Sequence, residues 1–213
     1  MAMREKPAEK VWADFKESNG LTEEQLEKFQ KYAKLLVRWN AKCNLTAING
    51  LSGIVNQHFT DSLALRDAVD LTKVKTIADV GTGAGFPVIP LKILFPHLNV
   101  ILIEVKQKKQ EFLRTIIHDL VLDAIQLCPL DWRTFLRSTE GKVDLFVSKA
   151  AMGEVELSRL FRANCSYRDA EIAYWVTEGW ECDSKVKEKY LLRTFDYKFR
   201  RNQQRRLAFF KAS

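Results

Sequence analysis

Cysteine is scarce in this 213-residue chain, and its four copies (Cys43, Cys128, Cys165 and Cys182) are scattered. With no Cys-x-x-Cys pair and no adjoining histidine cluster, structural zinc and a disulfide framework are excluded as readings, and free thiols in a reducing compartment are expected. No apolar run approaches the ~20 residues that span a bilayer, so no membrane partner is expected. Met1 to Lys10 is charged and lacks an apolar core, so no secretory signal is expected and the cytoplasm is the expected location. The chain also lacks the Lys-Ser/Thr pair that follows the glycines of a P-loop, and it lacks the Gly-x-Gly-x-x-Gly of a dinucleotide loop. No His/Asp dyad or reactive cysteine stands out as catalytic, so no catalytic side chain and no metal ligand is assigned.

What is present suits one sizeable domain with an appendage: hydrophobic residues make up 46% and charged residues 29%. Residues 1–70 read as a helical extension. Trp12 and Phe15 suggest a short docked helix, and Thr22-Glu23-Glu24-Gln25 is a capping box that opens a helix over 22–41. Leu26, Phe29, Tyr32, Leu36 and Trp39 recur there at helical spacing, as a core-facing stripe does. A second helix carries His58 and Asp61 at i and i+3, sharing a face as either an acid–base pair or a structural hydrogen-bonded pair.

From Lys75 the rhythm becomes strand then helix. Thr76 to Val80 is a short, partly β-branched strand, followed by Gly81-Thr82-Gly83-Ala84-Gly85-Phe86-Pro87. Alternate glycines let a backbone turn tightly and approach a ligand, and Pro87 and Pro90 suit the first turn of the next helix. A second strand ends in Glu104, and a right-handed βαβ crossover returns that acid beside the glycine turn, where it can accept from ribose hydroxyls. A glycine turn that asks for no pyrophosphate, together with a ribose acid, suits S-adenosylmethionine. Asp131, after a third strand at 124–128, could accept an adenine amino group, and Lys149, after a fourth at 143–147, faces the same crevice. Lys106, Lys108 and Lys109 open the intervening helix and read as an anion contact or as a solvated charge run.

A fifth strand at 171–177 and two more at 190–199 and 205–210, joined as a hairpin through 200–204, complete the pattern. From Glu181 to Ser213 there are ten Lys/Arg against four Asp/Glu, an excess of six, and that is most of the net charge of +7. A basic tail favours a polyanionic partner. The fold expected over 71–213 is α/β: the Rossmann-like, mostly parallel seven-stranded sheet of class I methyltransferases, with an antiparallel C-terminal hairpin.

Three stretches carry a more specific likeness. Trp39-Asn40-Ala41-Lys42-Cys43-Asn44-Leu45-Thr46, then His58-Phe59-Thr60-Asp61-Ser62, then Asp79 to Pro87 with Ile89-Pro90-Leu91 resemble, in order and spacing, the RsmG (GidB) methyltransferases. The resemblance implies an S-adenosylmethionine-dependent enzyme that methylates guanine N7 in small-subunit (16S) ribosomal RNA, with the rRNA or the 30S particle as partner, acting as a monomer. It further implies that Gly81, Gly83, Gly85 and Phe86 line the cofactor, with Glu104 on the ribose, Leu130 and Asp131 flanking adenine, and Lys149 standing where the family has Arg. Two other positions depart from the family pattern: Glu178-Gly179 replaces Lys-Gly, and Val88 replaces a glycine. Two alternatives stand beside this reading, a class I methyltransferase of a small molecule or protein, and a catalytically idle RNA- or ribosome-binding module. The glycine spacing disfavours a nicotinamide dehydrogenase.

Overall fold

The computed structural model describes residues 7–48, 50–149, 151–177, 179–200 and 203–212. Glu178 and the residues 201–202 between the expected hairpin strands lie outside the described residues. Helix α1 (Ala8–Asn19) stops at Gly20, whose φ of 62° makes a left-handed cap. Helix α2 (Glu23–Cys43) starts at the expected capping box: Thr22 Oγ1 accepts from the Gln25 N–H, and Gln25 Oε1 accepts from the Thr22 N–H. The expected single helix around His58 is a broken run: α3 (Leu51–Gly53), a π-helical segment (Ile54–Thr60), α4 (Asp61–Leu63) and α5 (Leu65–Ala68). The π register brings Asp61 and Ser62 inward, and both are buried.

The strands are β1 (Thr76–Val80), β2 (Asn99–Ile103), β3 (Ile125–Cys128), β4 (Leu145–Lys149), β5 (Glu171–Thr177), β6 (Leu191–Arg200) and β7 (Gln203–Phe210). They form one sheet in the order β3-β2-β1-β4-β5-β7-β6, parallel except at β7, which runs antiparallel to both β5 and β6. This is the expected architecture. Between the strands lie α6 (Val88–Leu94), α7 (Gln107–Asp119), α8 (Trp132–Ser138) and α9 (Glu154–Leu157). A helix not foreseen, α10 (Ser184–Tyr190), precedes the hairpin, with Asp183 Oδ1 capping it by accepting from Lys185 and Val186 N–H groups. Beyond α9 the chain winds through a 3-10 turn (Ser158–Phe161).

Strand alternation distributes the sheet between two cores. Ile77, Leu207 and Phe209 face one cluster, while Ala78, Val80, Ala208 and Phe210 face the other. The first cluster also contains Phe15, Phe29, Tyr32 and Phe59, so the N-terminal helices and the sheet share one interior. Lys92, on α6, is the one lysine among the buried polar groups of the described residues. Its Nζ donates to Pro96 O (2.5 Å) and Leu98 O (2.9 Å) and pairs with the exposed Asp123 at 3.0 Å. A buried ammonium is tolerated because its donors are satisfied. Lys92→Met keeps the stem but orphans the two carbonyls, and should lower unfolding free energy by about 1–3 kcal/mol in urea denaturation. An unchanged midpoint and slope would show that the ammonium contributes nothing.

Candidate functional site

The glycine turn leaves β1 at the carboxyl end of the sheet and is fixed from three sides. From below, the Gly81 and Thr82 N–H groups donate to Ile103 O at 2.9 and 3.2 Å, tying it to β2. From the helical layer, the Tyr32 hydroxyl donates to Ala84 O at 2.5 Å. From the far side, the Gly83 N–H donates to Glu104 Oε2 at 3.0 Å.

The three glycines differ in what surrounds them. A Cβ on Gly81 would lie 2.5 Å from Ala151 Cβ, and one on Gly85 would lie 2.7 Å from Ile89 and 2.8 Å from the Tyr32 hydroxyl. At those two positions neighbours press against the backbone in addition to its left-handed φ of 69° and 92°. Gly83 (φ 61°) is different: its Cβ would find nothing closer than Lys109 Nζ at 3.7 Å. Its face opens into space beside Glu104, as a ligand-approach position must.

Glu104 is 5% exposed and held in a fixed orientation. Oε2 takes the Gly83 N–H, Oε1 takes the Lys106 N–H at 2.9 Å, and Lys109 Nζ lies 3.8 Å away. Each oxygen retains a lone pair for a further donor. Of the three lysines opening α7, Lys109 thus serves this carboxylate.

Asp79 is the residue that the sequence did not flag as a contact. It is the penultimate residue of β1 and fully buried: Oδ2 accepts from the Thr82 hydroxyl at 2.8 Å, while Oδ1 has no partner. Burial raises its pKa from the usual carboxylate range to about 8, against the Thr82 hydroxyl and the Val88 N–H, which favour the ion. A buried orphan acceptor costs stability unless something supplies a donor. The signal available beforehand was an acid inside an otherwise apolar strand.

Phe86 is sandwiched. His58 covers one face (4.2 Å between centroids, 4° between planes) and Tyr32 stacks at 5.3 Å and 15°. Here the ring supports the turn from within the core rather than presenting a face to the crevice. Asp131 is the N-cap of α8, accepting from the Thr134 N–H (3.0 Å) and hydroxyl (2.7 Å), and Leu130 is half-buried beside it. Both sit on the rim beyond β3.

Lys149 and Asp61 meet at the end of β4. Lys149 Nζ lies 2.5 Å from Asp61 Oδ2 and donates to Gln57 O at 3.2 Å, and its side chain is 12% exposed. Asp61 also accepts from Arg205 (3.0 Å) and the Tyr197 hydroxyl (2.7 Å), while its carbonyl accepts from Trp175 Nε1 at 3.0 Å. Burial pulls the Lys149 pKa down, opposed by Asp61. His58 and Asp61 share a face but do not bond to each other; His58 Nε2 pairs with Thr46 Oγ1 at 2.8 Å. Burial, then the charges of Lys149 and Arg205, push the imidazole pKa down to about 3, so His58 is neutral at working pH.

The described residues contain no cluster of His, Cys, Asp and Glu suited to a metal, and no helix is long and apolar enough to cross a membrane. The family model described as "GidB: rRNA small subunit methyltransferase G" matches residues 25–167. A ribosomal RNA small subunit methyltransferase G of Exiguobacterium sibiricum is 46% identical over 105 residues, 49% of this chain and 44% of that protein. Its counterpart in Halalkalibacterium halodurans is 41% identical over 142 residues, 66% of this chain and 60% of that protein. The match thus spans about half the length of these relatives. Among solved structures, a SAM-dependent O-methyltransferase of Thermotoga maritima superimposes with a TM-score of 0.56 at 12% identity, covering 72% of this chain and 65% of that one. The fold is that of the class I methyltransferases, and the chain belongs to the GidB family, rRNA small subunit methyltransferase G.

Proposed function

We propose that this protein transfers a methyl group from S-adenosylmethionine to guanine N7 of small-subunit ribosomal RNA. The observation that carries it is the opening above Gly83, flanked by the oriented Glu104 carboxylate and the unpartnered Asp79 Oδ1. These groups fit the two polar ends of the cofactor. Glu104 would accept from the ribose hydroxyls, and Asp79 would accept from the α-ammonium of the methionine part, gaining the donor it lacks. Gly81, Gly83 and Gly85 would form the floor, Phe86 would brace it, and Leu130 and Asp131 would flank the adenine. When bound, the cofactor supplies an electrophilic sulfonium methyl.

The chain's own task is then positioning. Guanine N7 carries an in-plane lone pair and no proton, so no side chain has to remove one. Holding the reacting atoms near ~3–3.5 Å and aligned can supply much of the acceleration. With its pKa pushed down to about 3, His58 is a poor proton acceptor, in keeping with chemistry that needs no general base. Lys149, tied to Asp61, would shape the crevice wall, and the basic hairpin would meet RNA. Action as a monomer in the cytoplasm belongs to the same proposal. The family match supports ribosomal RNA over a small molecule or protein as substrate.

Three outcomes test this reading. Gly83→Arg fills the opening, so calorimetry with S-adenosylmethionine should show no binding while circular dichroism stays that of the parent; unaltered affinity would move the pocket elsewhere. Asp79→Asn should weaken cofactor binding ~10–100-fold, the worth of a charged hydrogen bond. Its titration has a definite sign: a folded pKa of about 8, above the usual 3.8, means that the fold holds a proton the unfolded chain releases. The contribution of this group is therefore fully present below about pH 4 and is lost as pH rises through 8, and Asp79→Asn should abolish that part of the decline in thermal melts. Finally, unmodified small-subunit particles incubated with methyl-labelled cofactor should gain one label, mapping to a guanine N7. Label on protein or on a small molecule, or none, would overturn the assignment.

A further inference from the structure

The parallel strands have two ends, and the proposed cofactor opening uses only one. At the opposite end, where the chain enters β4 and β5, lies a cleft of about 630 Å³. It is bounded by α8, the 3-10 turn after α9 and the connection into β5. Its wall carries four guanidinium groups, Arg133, Arg137, Arg159 and Arg162, against one carboxylate, Glu140, with the Asn164 carboxamide beside them.

The four arginines fall into two pairs. Arg133 is bound to Glu156 through Nε (2.6 Å) and an Nη (3.0 Å), and the same carboxylate holds Arg159 Nε at 2.8 Å. That pair is fixed and partly neutralised. Arg137 and Arg162 are exposed, and their side chains make no hydrogen bond or ion pair with any described residue. Counting Glu140 and Glu156, the cleft keeps a formal excess of two positive charges, supplied by guanidinium forks rather than ammonium points. Planar forks match phosphate oxygens bidentately.

We propose that this cleft binds the phosphodiester backbone of an RNA strand, with Arg137 and Arg162 as the phosphate contacts and the Arg133–Glu156–Arg159 pair as the rigid wall. It rests on the reading of the substrate as ribosomal RNA, and adds a second anchoring point remote from the methyl donor. A backbone contact carries no base information, so its role is to hold orientation. Four guanidinium groups around a cleft of about 630 Å³ are more than a single small anion would use, which favours a strand.

The test uses the full chain with Arg137→Gln and Arg162→Gln combined; both residues are exposed and neither makes a side-chain hydrogen bond to a described residue, and circular dichroism checks that the fold survives the loss of the Arg137 charge that faces Asp131. The probe is a fluorescein-labelled, unmodified fragment of small-subunit ribosomal RNA, titrated by anisotropy at several salt concentrations. Affinity should fall ~10-fold or more, and the plot of log K against log salt should become shallower by about 1.4, two single-strand phosphates at ~0.7 each. A charge-matched control, Lys10→Gln with Lys34→Gln on α1 and α2, should leave both quantities near the parent's values. Arg→Lys at both cleft positions should restore most of the slope. An unchanged slope in the cleft variant, or an equal loss in the control, would overturn the proposal. So would inorganic phosphate binding that depends on the two arginines while RNA binding does not. Cofactor affinity and methyl mapping are read separately, so an RNA-binding cleft in a protein that methylates nothing would sink the methyl-transfer reading and leave this one standing.

Discussion

The stretch from Gly81 to Gly85 has its shape only because two layers, sheet and helix, hold it at three points. β2 contributes the Ile103 carbonyl, α2 contributes the Tyr32 hydroxyl, and the end of β2 contributes the Glu104 carboxylate. Glycines on their own would leave this turn loose, since each gains more conformational freedom on unfolding than any other residue. Hydrogen bonds from the strand and the helix offset that entropy, and the Phe86 ring, closed in by His58 and Tyr32, blocks movement towards the core. The helical extension is therefore part of the machinery. Without α2 the opening above Gly83 would have no fixed outline.

A second organising contact sits at Asp61. One buried carboxylate gathers Lys149 from β4, Arg205 from β7 and the Tyr197 hydroxyl from β6. Two cations and a hydroxyl around a single anion satisfy its lone pairs and leave a net positive charge next to the crevice. That charge depresses the basicity of His58 and favours the ionised form of Asp79. The Lys149 ammonium supplies its charge to Asp61 as a point at 2.5 Å, without the planar fork of a guanidinium.

Much of the architecture was legible because local signals agreed with one another. β1 and β5 fall on the residues that apolar runs and turn residues marked, and the Thr22 capping box opens α2 as expected. What escaped depended on contacts distant in sequence. Nothing local to Tyr32 says that its hydroxyl binds a carbonyl 52 residues away, and Phe86, adjacent to the glycines, looked like a lining residue until its two faces were accounted for. Lys149 looked free to reach a ligand, yet its ion-pair partner Asp61 stands at the start of α4, directly after the π-helical run, whose register cannot be read from helical spacing. Asp79 was visible as an acid before the glycines; its unpartnered oxygen was not, because hydrogen-bond satisfaction is a property of the whole site.

The hairpin's order within the sheet has a consequence for how the molecule comes together. β7 is threaded between β5 and β6, so the strand that follows all the others in the chain takes an interior seat. Arg205 rides on it. Until that strand docks, the carboxylate at the hinge of helix and sheet lacks one of its two cations, and β6 has no neighbour to pair with. Completion of the crevice wall thus depends on β7 entering the sheet, and the same docking event that seats the strand sets the charge balance at Asp61.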